Sequence, residues 1–291
     1  MAAVVSGTRL AEAWAAVRRR RPLVHHLTNV VTAGDVADVT LACGARPVMA
    51  QAREEVEEVA TQAAALVLNL GTPTRERLAV LLAAGRAANR HGVPVVLDPV
   101  GCGATRFRRA AAARLLGAVR VRVVRGNRAE IATLAGLEAT MVGVEAGETP
   151  ADPLEAARRL AHQTAAVVAA TGEHDVVSDG AQAWTVVHGH PLLARITGGG
   201  DMATAVIAAV AAVEPDAVVA TLAGLVAFGL AAEEAARGAR GPGSFRPALL
   251  DALAGLDPGR VRDGAAVREA AGLDRSRVSR ADRDGPGWLW T

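Results

Sequence analysis

Residues 94–105 read Pro-Val-Val-Leu-Asp-Pro-Val-Gly-Cys-Gly-Ala-Thr, and this stretch indicates the class of fold. Its apolar run, Val95-Val96-Leu97, is short and unbroken. Such a run is typical of a strand that is buried on both faces, so we predict a strand over 94–98. Asp98 closes this strand and leads into a glycine-rich loop. The strand therefore belongs to a sheet that is covered on both sides, and it ends in a carboxylate.

Similar apolar runs alternate with stretches rich in Ala, Arg and Glu along the chain. We predict strands over 24–28, 47–49, 65–69, 94–98, 120–124 and 165–170. We predict helices near 8–20, 33–43, 54–64, 74–90, 107–117, 128–135, 152–163, 202–212, 216–236 and 246–255. This alternation is typical of an α/β fold with a mostly parallel sheet covered by helices on both faces. Residues Asp175–Val187 differ, because two short valine-containing runs flank a Ser-Asp-Gly turn, and they predict a hairpin at one sheet edge.

The chain has 291 residues, which is enough for one large α/β domain, and we find neither a linker nor a repeat. We predict a single domain over residues 1–262. The segment 263–291 is rich in Arg, Asp and Gly and has little periodicity. We predict that it is an irregular or disordered extension, which ends in the apolar Trp288-Leu289-Trp290.

Composition narrows the functional classes. Hydrophobic residues make up 51% of the chain, so a sizeable core can form, but aromatic residues make up only 2%, so that core must be built from Ala, Val and Leu. The net charge is only +2, and stacking aromatics are scarce, which argues against a nucleic-acid partner. The apolar stretch 217–232 comes nearest to a membrane span, but it is rich in Ala and contains two glycines, so we predict a buried helix. We therefore expect a cytoplasmic protein with no nucleic-acid or membrane partner.

Polar or glycine residues follow five of the predicted strands. In parallel sheets, ligands bind beyond the carboxyl ends of the strands, so we expect these residues to converge on one site. Each of them, taken alone, is better explained as a turn or a helix cap, so the argument for a site rests on their convergence. The residues are Thr28-Asn29, Asn69 with Gly71-Thr72, Asp98, Arg125-Gly126-Asn127 and Thr171-Gly172-Glu173.

The stretch 196–204 reads Ile-Thr-Gly-Gly-Gly-Asp-Met-Ala-Thr and introduces a predicted helix. Glycines let a backbone approach a ligand closely, and free N–H groups at a helix start favour negative charge. An anion site should repel the carboxylate of Asp201. Its presence there is explained if Asp201 takes a proton from a hydroxyl that attacks a phosphate. On this stretch alone, a glycine-rich turn with Asp201 as an N-cap explains the pattern equally well.

Two further carboxylates suggest a metal and phosphate site. Asp98, at a strand end beside a glycine-rich loop, can bind Mg²⁺ directly or through water, although it can also cap the loop. Asn127 and Glu130 have the spacing of a capping box, which is a structural role. Their functional interpretation places both near the phosphates and their Mg²⁺, with Arg125 on the nucleotide phosphates.

Together, these motifs resemble the hydroxyethylthiazole kinase family over about residues 22–257, in order and spacing. The Leu-Thr-Asn and Pro-Val-Met-Ala elements make the resemblance specific within the ribokinase-like superfamily. The matching stretches are 27–29, 44–50, 54–56, 65–72, 98–101, 125–127, 171–173 and 241–245.

The resemblance implies a ribokinase-like three-layer α/β/α sandwich with a mostly parallel central sheet. It implies phosphorylation of the hydroxyl of 4-methyl-5-(2-hydroxyethyl)thiazole in thiamine salvage, with ATP and Mg²⁺, by a homotrimer whose active sites lie between subunits. The roles that it implies are a substrate site at Asn29, Met49 and Gly198 with Gly71 and Thr72 reaching the neighbour's site, ATP binding by Arg125 and Thr171, and Mg²⁺ binding by Asp98 and Glu130. From the residues themselves we add Asn127 to the ATP site. We also infer that the N–H groups of Gly199 and Gly200 at the helix start form an anion hole and that Asp201 is the catalytic base.

The chain differs from the family pattern at the proposed base. Typical members carry Cys after the glycine-rich loop, whereas this sequence carries Asp201, as most other ribokinase-like kinases do. An aspartate in water is ionised at pH 7, whereas a cysteine thiol is mostly protonated, so Asp201 is expected to be a competent base. Because this residue lies beside the reacting hydroxyl, it can also change substrate preference.

Three alternatives share the fold. An NAD(P)H-hydrate dehydratase also carries a glycine-rich loop that ends in Asp, but the stretches 27–29 and 47–49 favour the thiazole enzyme. A kinase for another small alcohol, such as a pyrimidine or pyridoxal, is the second alternative. The third, a non-catalytic ligand-binding trimer, is disfavoured because every expected polar position carries usable chemistry.

Overall fold

The computed structural model describes residues 5–139, 141–143, 145–146 and 149–270. The strands are β1 (Leu23–Leu27), β2 (Arg46–Val48), β3 (Ala65–Asn69), β4 (Val95–Asp98), β5 (Val123–Asn127), β6 (Met141–Val142), β7 (Glu145–Ala146), β8 (Val167–Thr171), β9 (Asp175–Ser178), β10 (Ala183–Val186) and β11 (Val267–Glu269). The helices are α1 (Gly7–Arg20), α2 (Ala33–Ala42), α3 (Val56–Gln62), α4 (Arg75–Arg90), α5 (Arg106–Ala118), α6 (Arg128–Leu134), α7 (Pro153–Thr164), α8 (Gly199–Ala211), α9 (Ala217–Gly238), α10 (Pro242–Gly255) and α11 (Pro258–Gly264), with a 3₁₀ helix at Pro191–Arg195.

In the described part of the chain, nine strands form one sheet in the order β11-β10-β9-β8-β5-β4-β3-β1-β2. The six strands from β8 to β2 in this order are parallel, and β9, β10 and β11 extend the sheet in antiparallel pairs. The predicted hairpin over Asp175–Val187 is confirmed as β9 and β10. It is not the sheet edge as predicted, because β11 pairs with β10 outside it. Strand β6 and strand β7 form a separate small hairpin.

Helices cover both faces of the sheet, which gives three layers. Alternate strand residues such as Val67 and Val96 pack with α1, α2, α8, α9 and α10 on one face. Their neighbours, such as Leu66 and Leu97, pack with α3 to α7 on the other. Every residue of β3 and β4 is buried, as the unbroken apolar runs predicted. The predicted α/β fold with a mostly parallel sheet is therefore confirmed.

The apolar helix α9 lies in this core. It is long and apolar enough to cross a membrane, but 78% of its most apolar 18-residue stretch is buried inside the protein. Its interior glycine, Gly224, allows close contact with α8, since a Cβ atom there would lie 2.8 Å from the Cα atom of Ile207. The prediction of a buried helix at this position is confirmed.

Some boundaries differ from the prediction. Strand β5 begins three residues later than predicted and includes Asn127, while α8 begins at Gly199 instead of residue 202. The earlier start of α8 places Gly199, Gly200 and Asp201 in its first turn. Within the predicted C-terminal extension, Val267–Glu269 form β11. Residues 271–291, including Trp288–Trp290, lie outside the described residues, so their predicted irregularity stays a prediction.

Candidate active site

Five parallel strands bring their carboxyl ends to one edge, and polar side chains follow there. The register aligns Asn69 at the end of β3 with Asp98 at the end of β4. It likewise aligns Asn127 at the end of β5 with Thr171 at the end of β8. Helix α8 begins beside this edge, since its Asp201 accepts side-chain hydrogen bonds from Asn29, which follows β1, and from Asn69, which ends β3. The predicted convergence of the strand-end residues is thus observed.

The Asp201 carboxylate accepts three hydrogen bonds from side chains. Its Oδ2 atom accepts from Asn29 Nδ2 at 2.9 Å and from Thr32 Oγ1 at 2.5 Å. Its Oδ1 atom accepts from Asn69 Nδ2 at 2.9 Å. The two amides are also linked, since Asn29 Nδ2 lies 3.2 Å from Asn69 Oδ1. The carboxylate is therefore held in one orientation by donors from the segment between β1 and α2 and from the end of β3.

The glycine-rich loop wraps the start of α8. Gly198 is the N-cap residue with φ +83°, a left-handed conformation that glycine adopts without a steric penalty. The N–H groups of Gly199, Gly200 and Asp201 in the first turn have no acceptor within the helix, as at any helix start. Unpaired N–H groups in this position favour a bound anion such as a phosphate.

Arg125 lies directly against this turn. A Cβ atom on Gly200 would be only 2.4 Å from Arg125 Nη1, so the guanidinium packs on the bare glycine. Arg125 Nη2 donates a 2.5 Å hydrogen bond to Thr171 Oγ1, and that hydroxyl lies 3.2 Å from the Gly126 carbonyl oxygen. A fixed positive charge therefore stands beside free N–H groups, which is the arrangement that a phosphate chain needs.

Asp98 lies behind the turn and is 1% exposed. Its Oδ2 atom accepts a 2.7 Å hydrogen bond from Thr204 Oγ1 and lies 3.7 Å from Arg125 Nη1. Its Oδ1 atom is buried and has no hydrogen-bond partner among the described residues. Burial raises the pKa of Asp98 to about 8, against the opposing effect of Arg125, and the charges of Asp201 and Glu130 add to the rise. An orphaned carboxylate oxygen in this setting suits a hard cation.

Glu130 is occupied by backbone donors. It forms a capping box with Asn127, because Asn127 N donates to Glu130 Oε2 at 2.7 Å and Glu130 N donates to Asn127 Oδ1 at 2.9 Å. Its other oxygen, Oε1, accepts a 2.7 Å hydrogen bond from Gly101 N. Burial raises the pKa of Glu130, and the two backbone hydrogen bonds oppose that rise. Asn127 and Glu130 therefore form the capping box that their spacing indicated. Any contact of Glu130 with a metal ion would use the lone pairs that accept no hydrogen bond.

The remaining predicted substrate residues make no hydrogen bond to Asp201 within the described part of the chain. Met49 is half-buried and packs against the core. Gly71 lies against Asn29, since a Cβ atom on Gly71 would be 2.6 Å from Asn29 Cβ, and its N–H group donates to Asn69 Oδ1 at 2.8 Å. Thr72 is exposed, has a left-handed φ of 44°, and makes no hydrogen bond within the described residues. Thr72 is thus not part of the Asp201 cluster of its own chain.

The sequence reasoning missed two residues that shape the site. Thr32 binds Asp201, and its position just before a predicted helix was the available signal. Arg77 donates to Gln51 Oε1 at 2.7 Å and also to the carbonyl oxygens of Leu27 and Thr28, so it fixes the chain just before Asn29. Nothing in the sequence near Arg77 indicated this contact.

Comparison with known proteins shows which family this chain resembles. A family model described as the hydroxyethylthiazole kinase family matches residues 14–258. Hydroxyethylthiazole kinase of Desulforudis audaxviator (strain MP104C) is 52% identical over 259 residues, which cover 89% of this chain and 95% of that protein.

Solved structures confirm the fold. The structure of a hydroxyethylthiazole kinase protein from Pyrococcus horikoshii OT3 has a TM-score of 0.82 and 39% identity, and it covers 90% of this chain and 99% of that chain. A ribokinase-like superfamily protein from Enterococcus faecalis V583 has a TM-score of 0.60 at 14% identity, over 86% of this chain and 94% of that chain, and shows the fold alone. The three-layer ribokinase-like fold is thereby confirmed. With a family model that matches most of the chain and a relative at 52% identity, the protein belongs to the hydroxyethylthiazole kinase family.

Proposed function

We propose that this protein transfers the γ-phosphoryl group of ATP to the hydroxyl of 4-methyl-5-(2-hydroxyethyl)thiazole, a step of thiamine salvage, with Asp201 as the general base. Family membership makes it a kinase that acts on a small molecule. The observation that carries the assignment of the base is the Asp201 carboxylate in the first turn of α8, held by Asn29, Thr32 and Asn69. A base must lie within hydrogen-bond reach of the hydroxyl that it deprotonates, and this carboxylate is fixed beside the phosphate-binding turn.

The reaction is an in-line displacement at phosphorus. Asp201 takes the proton of the alcohol while the alcohol oxygen forms a bond to the γ-phosphorus. The bond between that phosphorus and the β–γ bridging oxygen breaks, and its electron pair leaves with ADP. Asp201 then releases the proton to solvent. The N–H groups of Gly199 and Gly200 stabilise the charge on the transferring group.

Arg125, Thr171 and Asn127 bind ATP in this proposal. The Arg125 guanidinium packs on Gly200, so it lies within reach of the same phosphates as the N–H groups of the turn. Its hydrogen bond to Thr171 holds it there. Because a guanidinium presents several donors in a fixed plane, it can contact two phosphate oxygens at once.

Asp98 and Glu130 hold Mg²⁺ in this proposal. The Oδ1 atom of Asp98, which is buried and has no hydrogen-bond partner among the described residues, supports direct or water-mediated contact. Each oxygen of Glu130 already accepts one backbone hydrogen bond, so Glu130 would use its remaining lone pairs. Among the described residues, no group of three or more His, Cys, Asp or Glu side chains forms a metal cluster, so Asp98 and Glu130 would hold Mg²⁺ together with phosphate and water oxygens. When bound, Mg²⁺ supplies positive charge to the phosphate oxygens.

The substrate pocket lies between subunits of a homotrimer in this proposal. Asn29, Met49 and Gly198 line it from one chain, and Gly71 and Thr72 reach the neighbour's site. Two exposed valines directly after Asn29 support a surface that is covered by a neighbouring subunit, since Val30 and Val31 are 74% and 61% exposed in the single chain.

The burial of α9 supports a cytoplasmic protein.

The trimer can be tested through these valines. We expect Val31→Glu to shift the sedimentation coefficient from that of a trimer to that of a monomer and to lower activity. Val187→Glu is the matched control, because Val187 is also exposed but follows β10 near the opposite end of the sheet. A wild-type monomer with full activity contradicts the shared site.

The activity itself is tested by a panel of alcohols with ATP and Mg²⁺, namely the thiazole alcohol, pyridoxal and a hydroxymethylpyrimidine, with hydrated NADH as a separate substrate. We expect the thiazole alcohol to give the highest kcat/KM. We expect Asp201→Asn to bind ATP normally and to lose most of kcat. Near-normal kcat in that variant contradicts the base assignment, and dehydration of hydrated NADH without alcohol phosphorylation contradicts the proposed reaction.

A further inference from the structure

Thr32 has an unusual hydrogen-bond arrangement for a helix N-cap. An N-cap threonine normally accepts a hydrogen bond from a backbone N–H group of its own helix. Thr74 and Thr105 do so at the starts of α4 and α5, with distances of 3.1 and 3.2 Å. Thr32, at the start of α2, makes no such bond within its helix. Its hydroxyl faces the Asp201 carboxylate instead.

Thr32 fills the space between the base and the glycine-rich loop. The residue is 2% exposed, and its Oγ1 atom lies 2.5 Å from Asp201 Oδ2 and 3.3 Å from Asn29 Oδ1. A hydroxyl has one hydrogen, and the shorter distance assigns that hydrogen to Asp201. The methyl group of Thr32 packs on Gly198, where a Cβ atom would lie 2.6 Å from Thr32 Cγ2.

The two oxygens of Asp201 are occupied unequally. A carboxylate offers about four lone-pair sites, two on each oxygen. Asn29 and Thr32 occupy both sites of Oδ2, whereas Asn69 occupies one site of Oδ1. No other donor among the residues that the structure describes reaches this carboxylate, so the remaining lone pair belongs to Oδ1, and an incoming hydroxyl can donate its hydrogen there.

We propose that Thr32 is a positioning residue that, together with Asn29, saturates Oδ2 of Asp201 and leaves Oδ1 as the atom that takes the substrate proton. This inference rests on the proposed role of Asp201 as the base. Without the Thr32 hydroxyl, Oδ2 regains a free acceptor site and the carboxylate can turn, so the substrate hydroxyl is no longer directed to one oxygen.

The same turn of α2 supports the glycine-rich loop a second time. Asp35 Oδ1 accepts a 2.7 Å hydrogen bond from Arg246 Nη1, and Arg246 Nη2 donates to the carbonyl oxygen of Thr197 at 3.0 Å. Thr197 directly precedes Gly198 in the loop. The first turn of α2 is therefore linked to the loop through the base on one side and through the backbone on the other.

The test compares Thr32→Val, which removes only the hydroxyl, with Thr32→Ser, which keeps it. A hydrogen bond to a charged group corresponds to about a 10- to 100-fold effect, so we expect kcat of Thr32→Val to fall by about that factor. We expect the KM values for ATP and the thiazole alcohol to stay within about twofold, since binding groups remain, and Thr32→Ser to recover kcat to within about threefold of the wild type.

Thr221→Val is the matched control, because Thr221 is also buried but its hydroxyl, within the described part of the chain, bonds only to the Ala217 carbonyl oxygen, at 2.7 Å. We expect its kcat to equal that of the wild type. A kcat of Thr32→Val equal to the wild type, an equal fall in Thr221→Val, or a fall in Thr32→Ser as large as in Thr32→Val overturns the proposal. If Thr32→Val does not fold, the comparison of Thr32→Ala with Thr32→Ser decides in the same way.

Two further results separate this proposal from the proposed function. If Asp201→Asn keeps near-normal kcat, the base assignment fails. If Asp201→Asn loses kcat but Thr32→Val does not, only the role of Thr32 fails. In a structure with bound thiazole alcohol, we expect the hydroxyl oxygen within about 2.6–3.2 Å of Oδ1. A hydroxyl bound to Oδ2 overturns the assignment of the reacting oxygen.

Discussion

Substitution of Gly200 by alanine tests the phosphate-binding arrangement directly. The added Cβ atom would lie 2.4 Å from Arg125 Nη1, whereas ordinary contacts begin at 3.4 Å. The guanidinium must therefore retreat by about 1 Å. The nearest atoms all belong to the flexible end of Arg125, so the backbone does not need to move.

We expect this substitution to lower catalytic activity and to leave the free energy of unfolding nearly unchanged. The retreat breaks the 2.5 Å hydrogen bond from Arg125 to Thr171 and moves the charge away from the proposed phosphate site. Misplacement of a positioning group by about 1 Å can lower a rate by about 100-fold, so we expect kcat/KM for ATP to fall by about 10- to 100-fold. Alanine is favoured over glycine in a helix by up to about 1 kcal/mol, and this gain offsets the loss of the hydrogen bond from Arg125 to Thr171. We therefore expect the free energy of unfolding to change by no more than about 1 kcal/mol.

The assay is steady-state kinetics with varied ATP, together with urea unfolding of the same preparation. Gly238→Ala is the control, because Gly238 is also helical and a Cβ atom there would meet no atom of the described residues within 4 Å. We expect unchanged kinetics in that variant. If Gly200→Ala keeps its kcat/KM for ATP, Arg125 does not act at the turn, and the reasoning is wrong. If it unfolds easily instead, the clash extends beyond the side chain of Arg125.

Three further variants test the packing at Gly224, the buried imidazole of His26 and the proposed metal site at Asp98. Gly224→Ala should lower the free energy of unfolding by about 1–3 kcal/mol in urea titrations, because the new Cβ atom meets the backbone of Ile207 at 2.8 Å. Burial lowers the pKa of His26 from 6.5 to about 3, so the unfolded state binds the proton more tightly and stability is lost as the pH falls from 6.5 towards 3. At pH 5.5 this loss is about 1.4 kcal/mol, and His26→Gln should lack it in urea titrations across pH. Asp98→Asn should weaken the Mg²⁺ dependence of ATP binding in calorimetry, and it should unfold at a higher temperature than the wild type at pH 9 in EDTA, because burial of the Asp98 charge is then avoided.

Each of these three has a clear contradicting result. Gly238→Ala, on the same helix as Gly224, should not be destabilised, and equal effects in both variants exclude the contact with Ile207. Parallel stability curves of the wild type and His26→Gln between pH 4 and 7 contradict the lowered pKa of His26. Unchanged Mg²⁺ dependence in Asp98→Asn removes Asp98 from the metal site.

Local chemistry made much of the site predictable. Asn69, Asp98 and Thr171 each follow a short apolar run, and parallel strands place their carboxyl ends at one edge of the sheet. Their convergence therefore required only the strand assignments. The start of α8 was predicted three residues late, because glycine has low helix propensity and Gly199 and Gly200 were assigned to the loop.

The C-terminal part shows the opposite case. Val267–Glu269 form β11 although their surroundings in the sequence show no alternating pattern. The strand exists because it pairs with β10, in which Thr185 is opposite Arg268. A three-residue strand has little propensity of its own, so its partner determines it.

The sequence by itself determined the alternation of strands and helices, the burial of the central strands and the polar residues at their ends, because these follow from local hydrophobic patterns and short motifs. Only the tertiary structure decided which side chains donate to each oxygen of Asp201. Thr32 and Asp201 are 169 positions apart in the chain, and Asn69 is 132 positions from Asp201. Hydrogen bonds over such separations depend on how α2, β3 and α8 pack together, and no local pattern encodes the direction in which a side chain finally donates.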